Sequence, residues 1–238
     1  MKIALIGYGK MGKAIEQIAL EKQHEIVLKI DIDNKHLFTA KNLQKADVAI
    51  EFTGPESAPE NIMQCITAGV PVVSGSTGWL QEWDKIVAAV KEKNGALVYA
   101  SNFSIGVNLF FELNKYLAQL MDKHKGYDVI MEEIHHTQKK DAPSGTAITL
   151  AEQVIHHFKN KTSWINKATT NQNELAIISK RIDPAPGTHT ITYTSAIDDI
   201  SITHTAHNRT GFAGGAVLAA EFIQHKKGIY NMQQVLGL

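Results

Sequence analysis

The chain has 238 residues, of which 44% are hydrophobic and 20% charged, and its 24 basic groups balance 24 acidic ones. That composition excludes a disordered chain and leaves no net positive field to hold nucleic acid or an anionic membrane surface, so neither partner is expected. A single cysteine, Cys65, excludes an internal disulfide, and no apolar run approaches the length of a membrane span. With no signal-peptide pattern at the N-terminus, the expected setting is the cytoplasm.

The first hundred residues alternate short apolar runs with amphipathic stretches, the pattern of parallel strands joined by crossover helices. Strands are predicted at Lys2 to Ile6, Glu25 to Ile30, Asp47 to Phe52, Val70 to Val73 and Ala96 to Tyr99. Between them Ala14, Ile15, Ile18 and Ala19 recur at helical spacing, as do Leu80, Trp83, Ile86, Val87 and Val90. Cys65 falls in a helix-like stretch at 61–68, where it reads as a small buried hydrophobe. Unbroken apolar runs that end at Gly or Pro suit an open, doubly wound sheet.

Further along, the rhythm changes. A helix is predicted over 107–122, then a strand from Tyr127 to Ile134, a polar loop, and a second helix from Ser144 to about Phe158. Leu175 to Arg181, Thr188 to Thr194 and Asp199 to Thr205 follow as strands without helices between them. In the last of these Ile200, Ile202 and His204 alternate with Ser201, Thr203 and Thr205. The expected architecture is α/β: a Rossmann-type, doubly wound parallel sheet over 1–104, then an α+β domain over 105–209 with a mixed or antiparallel sheet. The segment 210–238, which opens with a helix rich in small residues, is expected to pack back on the first domain, and the polar stretch 167–174 is expected to be a mobile loop.

Gly7, Gly9 and Gly12 form G-x-G-x-x-G between a strand and an amphipathic helix, the context a dinucleotide fingerprint requires. With Tyr8, Lys10 and Met11 they make up the candidate pyrophosphate cradle at a helix N-terminus. Asp31, at the end of the second strand, is the candidate acceptor for ribose hydroxyls, with Asp33 as runner-up. No arginine follows Asp31, and only Lys35 could reach a 2'-phosphate, so NADH is expected to serve at least as well as NADPH. Gly75, Ser76 and Thr77 follow the fourth strand, and Ala100, Ser101, Asn102 and Phe103 follow the fifth. The carboxyl ends of such strands line the crevice where a nicotinamide would lie, although each segment taken alone is more often an ordinary turn.

The densest chemistry lies at 132–146, where a strand delivers His135 and His136, a loop carries Lys139 and Lys140, and Ser144, Gly145 and Thr146 open a helix. Either histidine is able to give or take a proton near neutrality, and on a strand the two point to opposite faces. An ammonium in a partly dry cleft can donate a proton or hold a carboxylate, and the helix start offers hydroxyls and N–H groups to a small carboxylate. Asp141 and Pro143 have turn and capping roles as their ordinary reading. No metal is expected, because adjacent strand histidines diverge and Glu132 and Glu133 lack ligand spacing.

These residues strongly resemble the 4-hydroxy-tetrahydrodipicolinate reductase (dihydrodipicolinate reductase) family from end to end. The resemblance rests on GYGKMG at Gly7 to Gly12, EFTGPE at Glu51 to Glu56, SGSTGW at Ser74 to Trp79, SNFSIGVN at Ser101 to Asn108, HHTQKKDAPSGTA at His135 to Ala147 and AHNRTGFAGGAV at Ala206 to Val217. It implies that NADH or NADPH gives a hydride to a cyclic, α,β-unsaturated imine dicarboxylate, as part of the diaminopimelate and lysine route. By position in the motif, His135 is the implied proton donor or acceptor and Lys139 the second proton donor. His136, Ser144, Gly145 and Thr146 would hold the substrate carboxylates, and Lys140 would be solvated. Thr137 and Gln138 stand where the family commonly has basic residues. The family is usually tetrameric through the second domain's sheet, which makes that domain one for both substrate binding and oligomerisation. Arg209 and the Gly187-Thr188-His189 turn also match family positions, with structural and interface roles equally open. A dinucleotide sensor without catalysis, and a related amino-acid or sugar dehydrogenase, are the competing readings.

Overall fold

The computed structural model describes residues 1–208 and 210–238, so the expectation attached to Arg209 lies outside the described residues. The chain divides into two units, Met1–Ile105 with Thr210–Leu238, and Gly106–Arg209.

The first unit opens as β1 (Lys2–Ile6), α1 (Lys10–Glu21), β2 (Glu25–Ile30), a short α2 (Ala40–Leu43), β3 (Val48–Glu51), α3 (Ala58–Thr67), β4 (Val72–Ser74), α4 (Trp83–Glu92) and β5 (Ala96–Tyr99). The second unit holds α5 (Ile105–Met121, entered at its first residue), β6 (Asp128–His135), α6 (Gly145–His157), β7 (Ser163–Ile165), β8 (Glu174–Arg181), β9 (Gly187–Thr194) and β10 (Asp199–Ala206). The chain then completes the first unit with α7 (Thr210–Ile223), β11 (Gly228–Tyr230) and α8 (Met232–Leu236).

The sheet of the first unit runs β11-β5-β4-β3-β1-β2, with every pair parallel. Helices on both faces explain the unbroken apolar runs. Ile3, Leu5, Val48, Ile50 and Val73 pack with α1 and α7, while Ala4, Ile6, Ala49 and Val72 pack with α3 and α4. The small residues of α7 serve close packing: a Cβ at Gly215 would fall 1.7 Å from the Phe103 carbonyl oxygen. β4 starts later than its apolar run suggests because the Val70 N–H turns back to the Cys65 carbonyl and closes α3, and Pro71 follows. Cys65 is wholly buried on α3, and that burial pushes its thiol pKa up.

The second sheet runs β10-β9-β6-β8-β7 and is mixed: β6, β7 and β8 are mutually parallel, while β9 is antiparallel to both β6 and β10. One face carries Val129, Met131, Leu175, Ile177, Ile191 and Tyr193 against α5 and α6. On the other face, Thr190 meets Thr203 at 3.1 Å and Thr192 meets Ser201 at 2.9 Å, with Ile130 half-exposed beside them. The stretch expected as a mobile loop lies in the connection between β7 and β8, which is tied at several points. Thr169 donates to Glu174, and the buried Lys161 ammonium donates to the carbonyls of Gln172 and Glu174.

Candidate active site

In the first unit, the glycine-rich turn joins β1 to α1. Gly7 sits at φ +90°, and a Cβ there would lie 2.2 Å from the Phe52 carbonyl oxygen, so both backbone conformation and close approach require glycine. Gly9 caps α1 without a side chain, which leaves the first N–H groups of the helix open to an anion. Beside the turn is a cavity of about 810 Å³ lined by Gly7, Gly9, Asp31, Lys35, Thr53 and Glu56 among others. That volume and that donor set fit a nucleotide. Asp31 accepts from the Ile32 N–H through one oxygen and so starts the following 3₁₀ turn. Lys10 opens α1 and is exposed, Met11 packs on the core, Gly12 is buried, and the Tyr8 hydroxyl donates to Glu16.

The loops after β4 and β5 are tied inward. Ser76 is buried, donating to Glu51 at 2.8 Å and accepting from the Thr53 N–H at 2.9 Å. Glu51 is wholly buried and accepts also from Ser74 at 2.7 Å and from both the N–H and the hydroxyl of Thr53. Phe103 is a core residue whose ring lies tilted against that of Phe52, and the Asn102 side chain accepts from the Ser104 N–H. Any part that Ser76 and Phe103 play in binding therefore falls to their backbone. Gly75, Thr77, Ala100 and Ser101 lie in the same two loops. Glu51 and Thr53 to Glu56, the last four of them lining the cavity, were not among the site residues expected from sequence.

In the second unit the expected residues gather at the end of β6. His135 is buried on the helix-covered face, whereas His136 has left the strand and is half-buried. The Lys139 ammonium holds both oxygens of Asp141, at 2.8 and 2.9 Å, and pulls that carboxyl below the usual carboxylate range. Ser144 has partners within the protein. Its N–H points at both oxygens of Glu133, each at 3.1 Å, and its hydroxyl accepts from the Ala147 N–H as the cap of α6. The anion-binding capacity of this helix start thus rests on Gly145 and Thr146, whose N–H groups have no partner among the described residues.

The centre of this cluster is a residue that sequence patterning passed over. Glu133 is wholly buried; its Oε1 accepts from Ser179 at 2.7 Å and from Arg181 at 3.3 Å. Its Oε2 faces two imidazoles, 3.4 Å from His135 Nδ1 and 3.7 Å from His189 Nε2. Burial by itself would raise the Glu133 pKa, but the imidazoles of His135 and His189 that face it and the donors of Ser144 and Ser179 outweigh it and hold the carboxyl far below the usual range. Burial pushes the His189 imidazole down, against the pull of Glu133, and favours its neutral form. Glu133, His135 and His189 lie close enough together to invite a divalent cation. However, the Arg181 guanidinium already faces the carboxylate with positive charge and the Ser144 N–H donates to both its oxygens, which makes this donor set better suited to protons. One signal of His189 was present in the sequence: in 187–194 it alternates with Thr in step with Ile191 and Tyr193.

Comparison with known proteins converges on one family. The family model described as "Dihydrodipicolinate reductase, N-terminus" matches residues 1–103, and "Dihydrodipicolinate reductase, C-terminus" matches residues 106–236. A 4-hydroxy-tetrahydrodipicolinate reductase of Christiangramia forsetii is 49% identical over 100% of this chain and 98% of its own length. One from Chromobacterium violaceum is 37% identical over 82% of this chain and 75% of its own. The fold is similar to that of a dipicolinate-bound dihydrodipicolinate reductase from Paenisporosarcina sp. TG-14, with a TM-score of 0.81 at 22% identity over 98% of each chain. Matched in both halves and along its full length, the chain belongs to the dihydrodipicolinate reductase family.

Proposed function

We propose that the loop 135–146 supplies the proton-transfer and carboxylate-binding groups of the family's reaction, and that Gly7, Gly9 and Asp31 lead the binding of the cofactor. The protein is an NAD(P)H-dependent oxidoreductase that reduces the cyclic, dehydrated form of 4-hydroxy-tetrahydrodipicolinate to tetrahydrodipicolinate. When bound, the reduced nicotinamide supplies a hydride to the unsaturated ring. The electron density left there requires one proton from a positioned acid, a contribution of roughly 10²- to 10⁴-fold. His135 and Lys139 are the groups able to deliver it, with His136 and the N–H groups of Gly145 and Thr146 holding the carboxylates. Asp141, now on Lys139, stands in for a substrate carboxylate, which can replace it on the ammonium without leaving that charge bare.

The observation that carries this reading is the gathering of His135, Lys139 and an open helix N-terminus at the end of one strand. Freshly generated cyclic precursor with NADH is expected to give loss of nicotinamide absorbance. In Lys139→Ala turnover is expected to fall about 10²-fold or more while NADH affinity stays nearly intact. Binding without turnover in the unsubstituted protein would instead favour the sensor reading.

Asp31, Glu56 and Glu60 line the nucleotide cavity with Lys35, so a 2'-phosphate would meet three carboxylates and one ammonium. NADH is therefore expected to support at least as much turnover as NADPH at equal low concentration, and an advantage of about tenfold for NADPH would contradict the charge argument. We infer a homotetramer in the cytoplasm, built on the open face of the second sheet. The rows of Thr and Ser with the half-exposed Ile130 support this use of the face, and a monomeric mass by light scattering would remove it. No helix among the described residues is long and apolar enough to cross a membrane.

A further inference from the structure

Sheet register, rather than sequence proximity, builds the surroundings of His135. Glu133 stands opposite Ser179 on β8 and opposite His189 on β9, so three strands bring their side chains to one spot on the helix-covered face. His135 follows two residues along β6 and shares that face. The two oxygens of Glu133 are then divided by their partners: Oε1 is held by Ser179 and Arg181, while Oε2 is turned to the imidazoles. His135 Nδ1 is buried and has no hydrogen-bond partner among the described residues, and Glu133 Oε2, 3.4 Å away, is the acceptor beside it. The His189 ring meets the His135 ring edge to face, with centroids 5.1 Å apart. Nε2 lies on the other side of the ring, against the backbone of Gly187, where a Cβ would come within 3.0 Å of it.

We propose that Glu133 is the positioning residue of His135: its anchored carboxylate takes the Nδ1–H, His189 limits the swing of the ring, and Nε2 is thereby left as the atom that exchanges a proton with the reacting molecule. The inference rests on the reading of His135 as a proton-transfer group. A carboxylate that cannot itself move, because Ser144, Ser179 and Arg181 fix it, selects one tautomer of the neutral ring and stabilises the imidazolium when Nε2 is protonated. The neutral His189 completes the arrangement, since a second cation edge-on to His135 would oppose that charge.

The test uses the full-length protein. Nitrogen-15 spectra of the imidazole rings, with His135 assigned through His135→Gln, read the tautomer in the unsubstituted protein. A neutral ring protonated at Nδ1 is expected; protonation at Nε2 overturns the proposal even if no Glu133 variant folds. In Glu133→Gln, kcat is expected to fall about 10²-fold with the KM for NADH within about twofold of the parent, and Glu133→Asp is expected to recover part of the loss. A Glu133→Gln protein that keeps its kcat while His135→Gln loses it overturns the positioning role and leaves His135 in place. Retained turnover in His135→Gln defeats the reading of His135 itself, and the proposal with it. Loss of activity on chelation that zinc restores would assign the three groups to a cation, and overturns the proposal as well.

Discussion

Glu51 at the end of β3 and Glu133 near the end of β6 are both wholly buried, and both are ringed by serine or threonine hydroxyls and a backbone N–H. They differ in what else faces them. Among the described residues Glu51 has neutral donors as its hydrogen-bond partners, so its charge is shared out as hydrogen bonds that hold the loops after β3 and β4 in one conformation. Glu133 has the same kind of neutral support and, in addition, a guanidinium on one oxygen and two imidazoles facing the other. A buried carboxylate with neutral donors is a clamp; the same group beside histidines is able to govern where a proton sits.

The largest effect that separates the two is expected at Arg181. In Arg181→Met the charge of Glu133 loses the guanidinium that faces it, and unfolding free energy is expected to drop by about 2–3 kcal/mol, less than for a fully buried pair because part of Arg181 stays in solvent. Denaturant titration measures this, and a change below about 0.5 kcal/mol would show that the imidazoles alone compensate the carboxylate. A smaller loss is expected in Glu51→Gln, about 1–2 kcal/mol, because the Thr53 N–H and three hydroxyls must reorganise around an amide. Kinetics sharpen the contrast. Glu51→Gln is expected to raise the KM for NADH about threefold or more with kcat nearly unchanged, opposite to the split expected at Glu133. A fall in kcat alone would place Glu51 in the chemistry instead.

The strands of the first unit were legible because a sheet covered on both faces needs continuous apolar runs, and 3–6, 48–50 and 96–98 have them. β7 and β11 were not legible: three residues are too few to show a period, and their place is set by the edge of a sheet already formed. At the site, His135, Lys139 and the start of α6 could be read because one short segment carries them all. Glu133, Ser179, Arg181 and His189 could not be assembled in the same way. Their meeting depends on which residues of β6, β8 and β9 stand opposite one another, and register is a property of the folded sheet. Glu133 lacks ligand spacing along the chain because its partners lie across strands.

The return of α7 to the first unit has a consequence for how the chain is made. Ala213, Ala216, Val217, Ala219, Ala220 and Ile223 are wholly buried against the face of the sheet that α1 also covers, with Met232 of α8 in the same cluster. A chain emerging from the ribosome leaves part of that face exposed from early in synthesis and completes its cover only with its last segment, whereas the contiguous unit 106–209 has every strand it needs before then. The waiting sheet is thus the stretch of a nascent molecule most in need of a chaperone.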